Sequence, residues 1–290
     1  MPPAAVTPMS GDSICQVLKV ATTALAAVSD SPRLDAEVLL SKVLGRDRVY
    51  LYAWPNAILS PDARAKLADL LEQRRRGHPI AHLTGRREFW SLSIEVTPET
   101  LIPRPETELL VECALNCPDQ PLSARVLELG TGSGAIALAI ASERPHWCLA
   151  ATDISGPALK VAAKNALSLG LERVSFRQSD WFSALSPDER FHIIISNPPY
   201  LALDDPYLSQ GDARFDPRCA LTSGPDGLSA LRSITAQAPR YLNSGGWLMV
   251  EHGWDQSTAV IELFHTAGFV NVASHRDLAG HNRVVSGRRN

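Results

Sequence analysis

The run Phe191-His192-Ile193-Ile194-Ile195-Ser196, leading straight into Asn197-Pro198-Pro199-Tyr200, constrains this 290-residue chain more than any other stretch. Three successive isoleucines without polar alternation read as a strand buried on both faces, as in a parallel sheet covered by helices. Two prolines stop it: each fixes φ near about −65° and lacks an N–H, and the residue before a proline is driven out of the α region. The strand therefore delivers an amide, a locked backbone and an aromatic ring to its C-terminal edge, where open α/β sheets hold their ligands. Such a wall is rich in acceptors and suits a substrate nitrogen that carries hydrogens.

The flanking pattern agrees. A strand over Arg125–Leu129 is followed by a glycine turn and a helix near 134–142, then a strand over 149–153, a helix over 156–169 and strands over 174–178 and 191–196. A helix around 228–242, a strand over 247–251, a helix over 258–267 and strand segments near 270–274 and 283–286 complete the series. The alternation predicts a doubly wound α/β fold with a mostly parallel sheet. Residues 201–227 are long, punctuated by Pro, Gly and Asp, and lack periodicity, which marks an active-site flap.

The front of the chain differs. Residues 1–12 are expected to be loosely ordered, a helix is predicted over 14–28, and Ser31-Pro32 and Ser60-Pro61 each supply an N-cap and first-turn pair for a further helix. These define a small helical domain over 1–84. Trp90, Leu92, Ile94 and Val96 alternate with polar residues as in a half-buried strand. In Leu101 to Glu108 two prolines flank Arg104, which is either a solvated arginine on a rigid linker or a gate beside the pocket, and Pro105 can open a helix running to Cys117. The expected division is 1–84, a linker over 85–104 and a second domain over 105–290.

Composition narrows the function. Net charge is −3, and the basic tilt is confined to the residues before Gly85, with 10 Lys or Arg against 8 Asp or Glu. That argues against a protein whose main task is coating a nucleic-acid backbone. Arg74-Arg75-Arg76 is the dense basic cluster, read either as a recognition site for an acidic partner or as solvated helix-end arginines. Five scattered cysteines form no framework and fit a reducing compartment. With no long apolar run and no signal-like start, a cytoplasmic protein without a membrane segment or metal site is expected.

Glu128-Leu129-Gly130-Thr131-Gly132-Ser133-Gly134 joins a strand to its helix, and its glycines permit a tight turn with close ligand approach. Alone it is ambiguous, since Gly130, Gly132 and Ala135 also fit a relaxed dinucleotide fingerprint. Asp153, at the end of the next strand, can take a ribose hydroxyl pair in either class. Asp180, after the third strand, can accept from an exocyclic amine while Trp181 packs on a purine face. Two aspartates make a locally negative pocket, better matched to a sulfonium than to a pyrophosphate.

Glu128 to Gly134, Asp153, Asp180-Trp181 and Asn197-Pro198-Pro199-Tyr200 resemble the class I S-adenosylmethionine-dependent methyltransferases that modify nitrogen. With Gly85, Glu88-Phe89, Leu101 to Glu108, Ala220-Leu221, Gly227-Leu228, Glu251-His252-Gly253, Gln256 and Asp277 to Gly280 with Arg283, the set resembles the PrmC/HemK family of peptide chain release factor N5-glutamine methyltransferases. The resemblance implies a Rossmann-like seven-stranded sheet with its last strand antiparallel, a helical N-terminal domain that helps dock the release factor, and a β-hairpin linker. It implies S-adenosylmethionine as cofactor, with S-adenosylhomocysteine as product, bound by Glu128, Gly130, Thr131, Gly132, Gly134, Asp153, Ile154, Asp180, Trp181 and Asn197.

The glutamine of a Gly-Gly-Gln loop in bacterial class I release factors would then be held by Asn197, Pro198, Pro199 and Tyr200, with Phe89 and Arg104 in the substrate set. Asn197, Pro198 and Tyr200 are the expected catalytic residues. Phe215-Asp216-Pro217 departs from the family's usual Glu-Pro, and its shorter carboxylate bears on loop geometry. The protein is expected to act as a monomer without a direct nucleic-acid substrate; an adenine-N6 or other exocyclic amino methyltransferase is the alternative, since that amine presents the same pair of hydrogens.

Overall fold

The computed structural model describes residues 13–290, so the expectation for 1–12 lies outside it. The chain divides into two units between Gly85 and Arg86. In the first, Ser13 and Gln16 form a capping box that starts α1 (Ile14–Leu25). α2 (Pro32–Leu44) closes on Gly45 at φ 61°, the left-handed conformation that favours glycine. α3 (Arg48–Ala53), α4 (Pro61–Arg75) and α5 (Ile80–Thr84) follow, with Ser60 Oγ accepting the Ala63 amide at 3.2 Å ahead of α4. α1 ends three residues short of the predicted 28, and the short α3 and α5 have no periodicity by which to be seen.

Ile14, Leu18, Leu25, Leu39, Leu40 and Leu67 fill the core of this unit. Arg74 is neither a free recognition arginine nor a solvated one: its Nε donates to the buried Asp35 at 2.8 Å and its Nη1 to the His78 carbonyl at 3.1 Å. Arg75 and Arg76 both pair with Glu72.

The second unit opens with the hairpin β1 (Arg86–Phe89) and β2 (Leu92–Glu95). Trp90, expected in a strand, sits instead in the two-residue turn with Ser91 at φ 52° and 59°, the positive pair such a tight hairpin requires. Its backbone amide donates to Glu108 and its indole to Glu143, which pins the hairpin tip. On the other side the Glu95 amide donates to Asn165 Oδ1 at 2.8 Å. A 3-10 turn over Pro105–Thr107 leads into α6 (Glu108–Leu115), which stops before Cys117.

β3 (Arg125–Leu129), α7 (Ala135–Glu143), β4 (Cys148–Asp153), α8 (Gly156–Leu169), β5 (Ser175–Gln178) and β6 (Phe191–Ser196) follow the predicted alternation. α9 (Arg218–Leu221) lies within the long 201–227 segment. Then come α10 (Ser229–Gln237), β7 (Leu242–Glu251), α11 (Ser257–Thr266), β8 (Phe269–Arg276) and β9 (Asn282–Arg289). The seven strands are ordered β5-β4-β3-β6-β7-β9-β8. β3 to β7 run parallel, β9 is antiparallel to both β7 and β8, and so the last strand alone opposes the rest. Leu127, Ile194, Leu248, Val250 and Val285 pack beneath α10 and α11 residues such as Leu231, Ile234, Val260 and Phe264.

The helix expected to reach Leu242 ends at Gln237, because Pro239 cannot continue it, and Leu242 already belongs to β7. In sheet order β3 and β6 adjoin while β4 lies beyond β3, so their C-terminal ends open a crevice at the reversal of strand order.

Candidate active site

The turn after β3 is fixed from beneath. Glu128, buried in the sheet, accepts from Thr131 Oγ1 at 2.6 Å and from the Ala137 amide at 3.0 Å, which draws the turn and the first turn of α7 together. Burial pushes its carboxyl up to about 8 despite those two donors. The Gly130 and Thr131 amides both donate to the Thr152 carbonyl, at 2.8 and 2.9 Å. Gly134 needs its hydrogen: at φ 85° a Cβ would lie 3.1 Å from that of Ala162 and 3.2 Å from Leu138.

Above this turn lies a cavity of about 270 Å³ bounded by Gly130, Gly132, Asp153, Ile154, Asp180, Trp181, Asn197 and Pro199. Asp153 Oδ2 accepts the Gly132 amide at 2.8 Å and Oδ1 that of Ser155 at 2.8 Å, so the carboxylate orders the loop that it faces. Burial raises its pKa, and these backbone donors oppose the rise. Glu99, Asp153 and Asp180 are all on the lining, and among the described residues no Lys or Arg is. A pyrophosphate would find no cation there, whereas a positively charged sulfur and a purine nucleoside meet carboxylates and the Trp181 ring.

A second cavity, about 420 Å³, adjoins it. Asn197 lines both, Pro199 only the first, and Pro198 and Tyr200 only the second, so the tetrapeptide forms the partition. Asn197 Nδ2 donates to the buried Thr107 Oγ1 at 3.1 Å, which leaves the carbonyl Oδ1 of the same amide as its uncommitted polar atom. The Tyr200 hydroxyl donates to Glu251 Oε1 at 3.3 Å, and the Tyr200 carbonyl accepts from Gln256 Nε2 at 2.9 Å. Burial and the adjoining Glu251 carboxyl push the Tyr200 phenol well above its ordinary range, so it remains a donor.

Arg104 lines the second cavity as a paired group. Its Nη2 meets the buried Asp216 Oδ2 at 2.5 Å, and Asp216 Oδ1 accepts the Ile102 amide at 3.1 Å. The aspartate that departs from the family's usual glutamate therefore ties Ile102 and Arg104 to the 201–227 segment. That segment is ordered into two 3-10 turns and α9, with Leu208, Ala213 and Leu221 forming a small core against Leu101 and Leu201. It supplies Leu201, Ala202, Asp205, Tyr207 and Asp226 to the second cavity and Pro217 and Cys219 to the first.

The expected site residues thus separate by position. Gly130, Gly132, Asp153, Ile154, Asp180, Trp181 and Asn197 face the first cavity, while Glu128, Thr131 and Gly134 lie outside its lining and shape the turn. Asn197, Pro198, Tyr200 and Arg104 face the second. Phe89, expected among the substrate residues, is 1% exposed and lines neither; as the last residue of β1 it packs into the interior. The two histidines of β6 and the β7 end are both committed: His192 Nδ1 accepts the Arg125 amide, and the buried His252 bonds the Gly253 carbonyl. Thr107 and Glu251 are absent from the expected site residues, yet both reach the tetrapeptide, Thr107 at Asn197 and Glu251 at Tyr200. A carboxylate ending the apolar run of β7 beside the same crevice is the signal for the second.

Comparisons agree with this geometry. Residues 16–85 match the family described as PrmC N-terminal domain, and residues 123–279 match that described as Methyltransferase domain. The release factor glutamine methyltransferase of Xylella fastidiosa (strain 9a5c) is 54% identical over 91% of this chain and 95% of its own length. That of Escherichia coli (strain K12) is 49% identical over 90% and 93%. The crystal structure of a methyltransferase from Pyrococcus furiosus superposes with a TM-score of 0.51 at 17% identity, over 69% of this chain and 89% of that one, a likeness of fold. With such identity running through both units and the glycine turn, crevice and tetrapeptide in their places, the chain belongs to the release factor glutamine methyltransferase family.

Proposed function

We propose that the protein transfers a methyl group from S-adenosylmethionine to the side-chain amide nitrogen of the glutamine in the Gly-Gly-Gln loop of bacterial class I release factors, in the cytoplasm and as a monomer, with the helical unit docking the release factor. When bound, the cofactor supplies an electrophilic methyl on a cationic sulfur. The acid-lined first cavity, with Gly130, Gly132, Asp153 and Trp181, has the donor set to hold it. The second cavity receives the glutamine.

One observation carries the reading: Asn197 borders both cavities, and its amide is locked so that an acceptor is left free. An amide nitrogen is a poor nucleophile because its lone pair is delocalised into the carbonyl. Asn197 Oδ1 and the Pro198 carbonyl each accept one N–H of the substrate, which orients the lone pair towards the neighbouring cavity. The same two oxygens stabilise positive charge as it develops on that nitrogen. Tyr200, fixed at its hydroxyl and its carbonyl, packs on the flat amide group. With the cofactor held in the first cavity, the nitrogen would take its methyl as the carbon–sulfur bond gave way, and the proton would leave nitrogen for water afterwards.

The test is methyl incorporation into intact release factor, into the same factor with its loop glutamine replaced, and into DNA. Incorporation into the first alone is expected, and Asn197→Ala should lower kcat by about 100-fold while leaving the fold intact. Methylation of DNA in place of the release factor, or full activity in Asn197→Ala, would overturn the assignment.

A further inference from the structure

Glu251 ends β7 beneath the partition between the cavities and is 2% exposed. Its Oε1 takes the Tyr200 hydroxyl at 3.3 Å, while Oε2 is buried without a hydrogen-bond partner among the described residues. The Thr107 hydroxyl faces this carboxyl closely enough to hold its pKa down, and Thr107 Oγ1 accepts Asn197 Nδ2 at 3.1 Å. Both ends of the tetrapeptide therefore converge on one carboxyl, Tyr200 directly and Asn197 through a hydroxyl.

Resting on the glutamine methyltransferase reading above, we propose that Glu251 is a positioning residue that sets, through Thr107, which face of the Asn197 amide is presented to the substrate. An ionised carboxylate only accepts hydrogen bonds, and a threonine hydroxyl has one hydrogen to give. With Glu251 ionised, that hydrogen goes to Glu251, Thr107 accepts Nδ2–H, and Asn197 Oδ1 is free to accept from the substrate amide. With a proton on Glu251 the chain reverses: Glu251 donates to Thr107, Thr107 donates to Asn197 Oδ1, and Nδ2 turns towards the substrate. A donor facing the hydrogens of a primary amide repels them.

The group titrates where this matters. Burial raises Glu251 to about 7, while Thr107, Arg283 and Tyr200 pull it down and Glu106 pushes it up. Arg283, from β9, is itself engaged by Asp277 at 3.1 Å, and the adjacent His252 is kept from its charged form by burial. Asp255 acts on His252 from the loop after β7.

The test measures kcat, KM for release factor and cofactor affinity from pH about 6 to about 8.5, spanning the value for Glu251. In the wild type kcat should rise roughly 10-fold through pH about 7 while cofactor affinity stays level. Glu251→Gln presents an amide whose NH₂ donates to Thr107 as the protonated acid does, so it should hold the low-pH rate across the range. Thr107→Val, which severs the relay while leaving the Tyr200–Glu251 hydrogen bond in place, should lose the inflection too, and the double variant should be no worse than the poorer single one. The side-chain ¹⁵N resonance of Asn197 gives a readout that needs no turnover: it should titrate near pH 7 in the wild type and not in either variant. If Glu251→Gln fails to fold, Thr107→Val decides alone. Wild-type pH dependence and a titrating Asn197 signal in Thr107→Val would overturn the proposal, whereas a titrating wild-type amide in a protein that does not methylate release factor would overturn the activity and spare the relay.

Discussion

Asp216 and Arg104, 112 positions apart in sequence, meet at 2.5 Å at the rim of the second cavity, and the other oxygen of Asp216 holds the Ile102 amide. The carboxylate is raised in pKa by burial, against which the Arg104 charge and the Ile102 amide act. Removing it leaves the Ile102 N–H without its acceptor and Arg104 with only the more distant Asp212, at 4.0 Å. Asp216→Ala is therefore expected to cost about 2 kcal/mol in urea unfolding, from an unpaired backbone donor and a weakened charge pair. Methyl transfer should weaken with it, mainly as a raised KM for release factor, because the tether orders the segment that lines the second cavity. Unchanged unfolding and KM would show that the tether does neither.

Gly227 makes a sharper demand. It stands at φ 74°, and a Cβ there would come 2.2 Å from the Tyr200 carbonyl oxygen and 2.9 Å from Gln256 Nε2. Neither neighbour has room, since Gln256 bonds that same carbonyl. Gly227→Ala should lower stability by at least about 1–2 kcal/mol from the left-handed backbone alone. Displacement of Tyr200 should lower kcat further than the melting temperature suggests. Full activity with wild-type melting would show that the segment moves aside freely.

The sheet is largely legible in the sequence because its central strands are apolar runs ended by functional residues, as Ile193 to Asn197 shows. The apolar pattern starts β7 at Trp247, five residues late, because Asn243-Ser244-Gly245-Gly246 carries no apolar alternation although the strand already pairs from Leu242. Placing β9 between β7 and β8 requires the resemblance, since strand order is not a local property. The lining of the first cavity can be named largely residue by residue, since Asp153, Asp180, Trp181 and Asn197 sit at or just past strand ends. Thr107 cannot: its role comes from a contact with Asn197 across 90 positions, and in sequence it is one polar residue at a helix start. Phe89 shows the converse. Its identity fits a substrate residue, while its place at the inward end of β1 puts it in the interior.

Glu128 links the fold to pH. Its folded-state value of about 8 lies above the ordinary 4.5, so the folded protein keeps a proton that the unfolded chain has released. Stability should therefore fall by about 1.4 kcal/mol for each pH unit between about 4.5 and about 8, and level off above that. Glu251 adds a smaller decline ending near 7. Glu128→Gln keeps an acceptor for Thr131 and Ala137 but cannot ionise. Its melting temperature should match the wild type near pH 5 and exceed it near pH 8, by an amount on the order of a few kcal/mol in stability. Parallel melting curves for the two proteins across that range would show that Glu128 is already ionised in the fold.

Asp153 closes β4 with both oxygens engaged by loop amides, and it faces the first cavity, where it competes with no cation for a ligand's hydroxyls. Its charge and its hold on Gly132 should both matter for cofactor binding and neither for the glutamine. Asp153→Ala is expected to weaken S-adenosylhomocysteine by about 10- to 100-fold in calorimetry, the range for losing hydrogen bonds to a charged group. Asp153→Asn, which retains an acceptor for the Gly132 amide, should fall between the two proteins. KM for release factor, measured at saturating cofactor, should stay within about twofold because Asp153 does not reach the second cavity. An alanine variant that binds S-adenosylhomocysteine as tightly as the wild type would remove the first cavity from consideration as the cofactor site, whatever occupies the second.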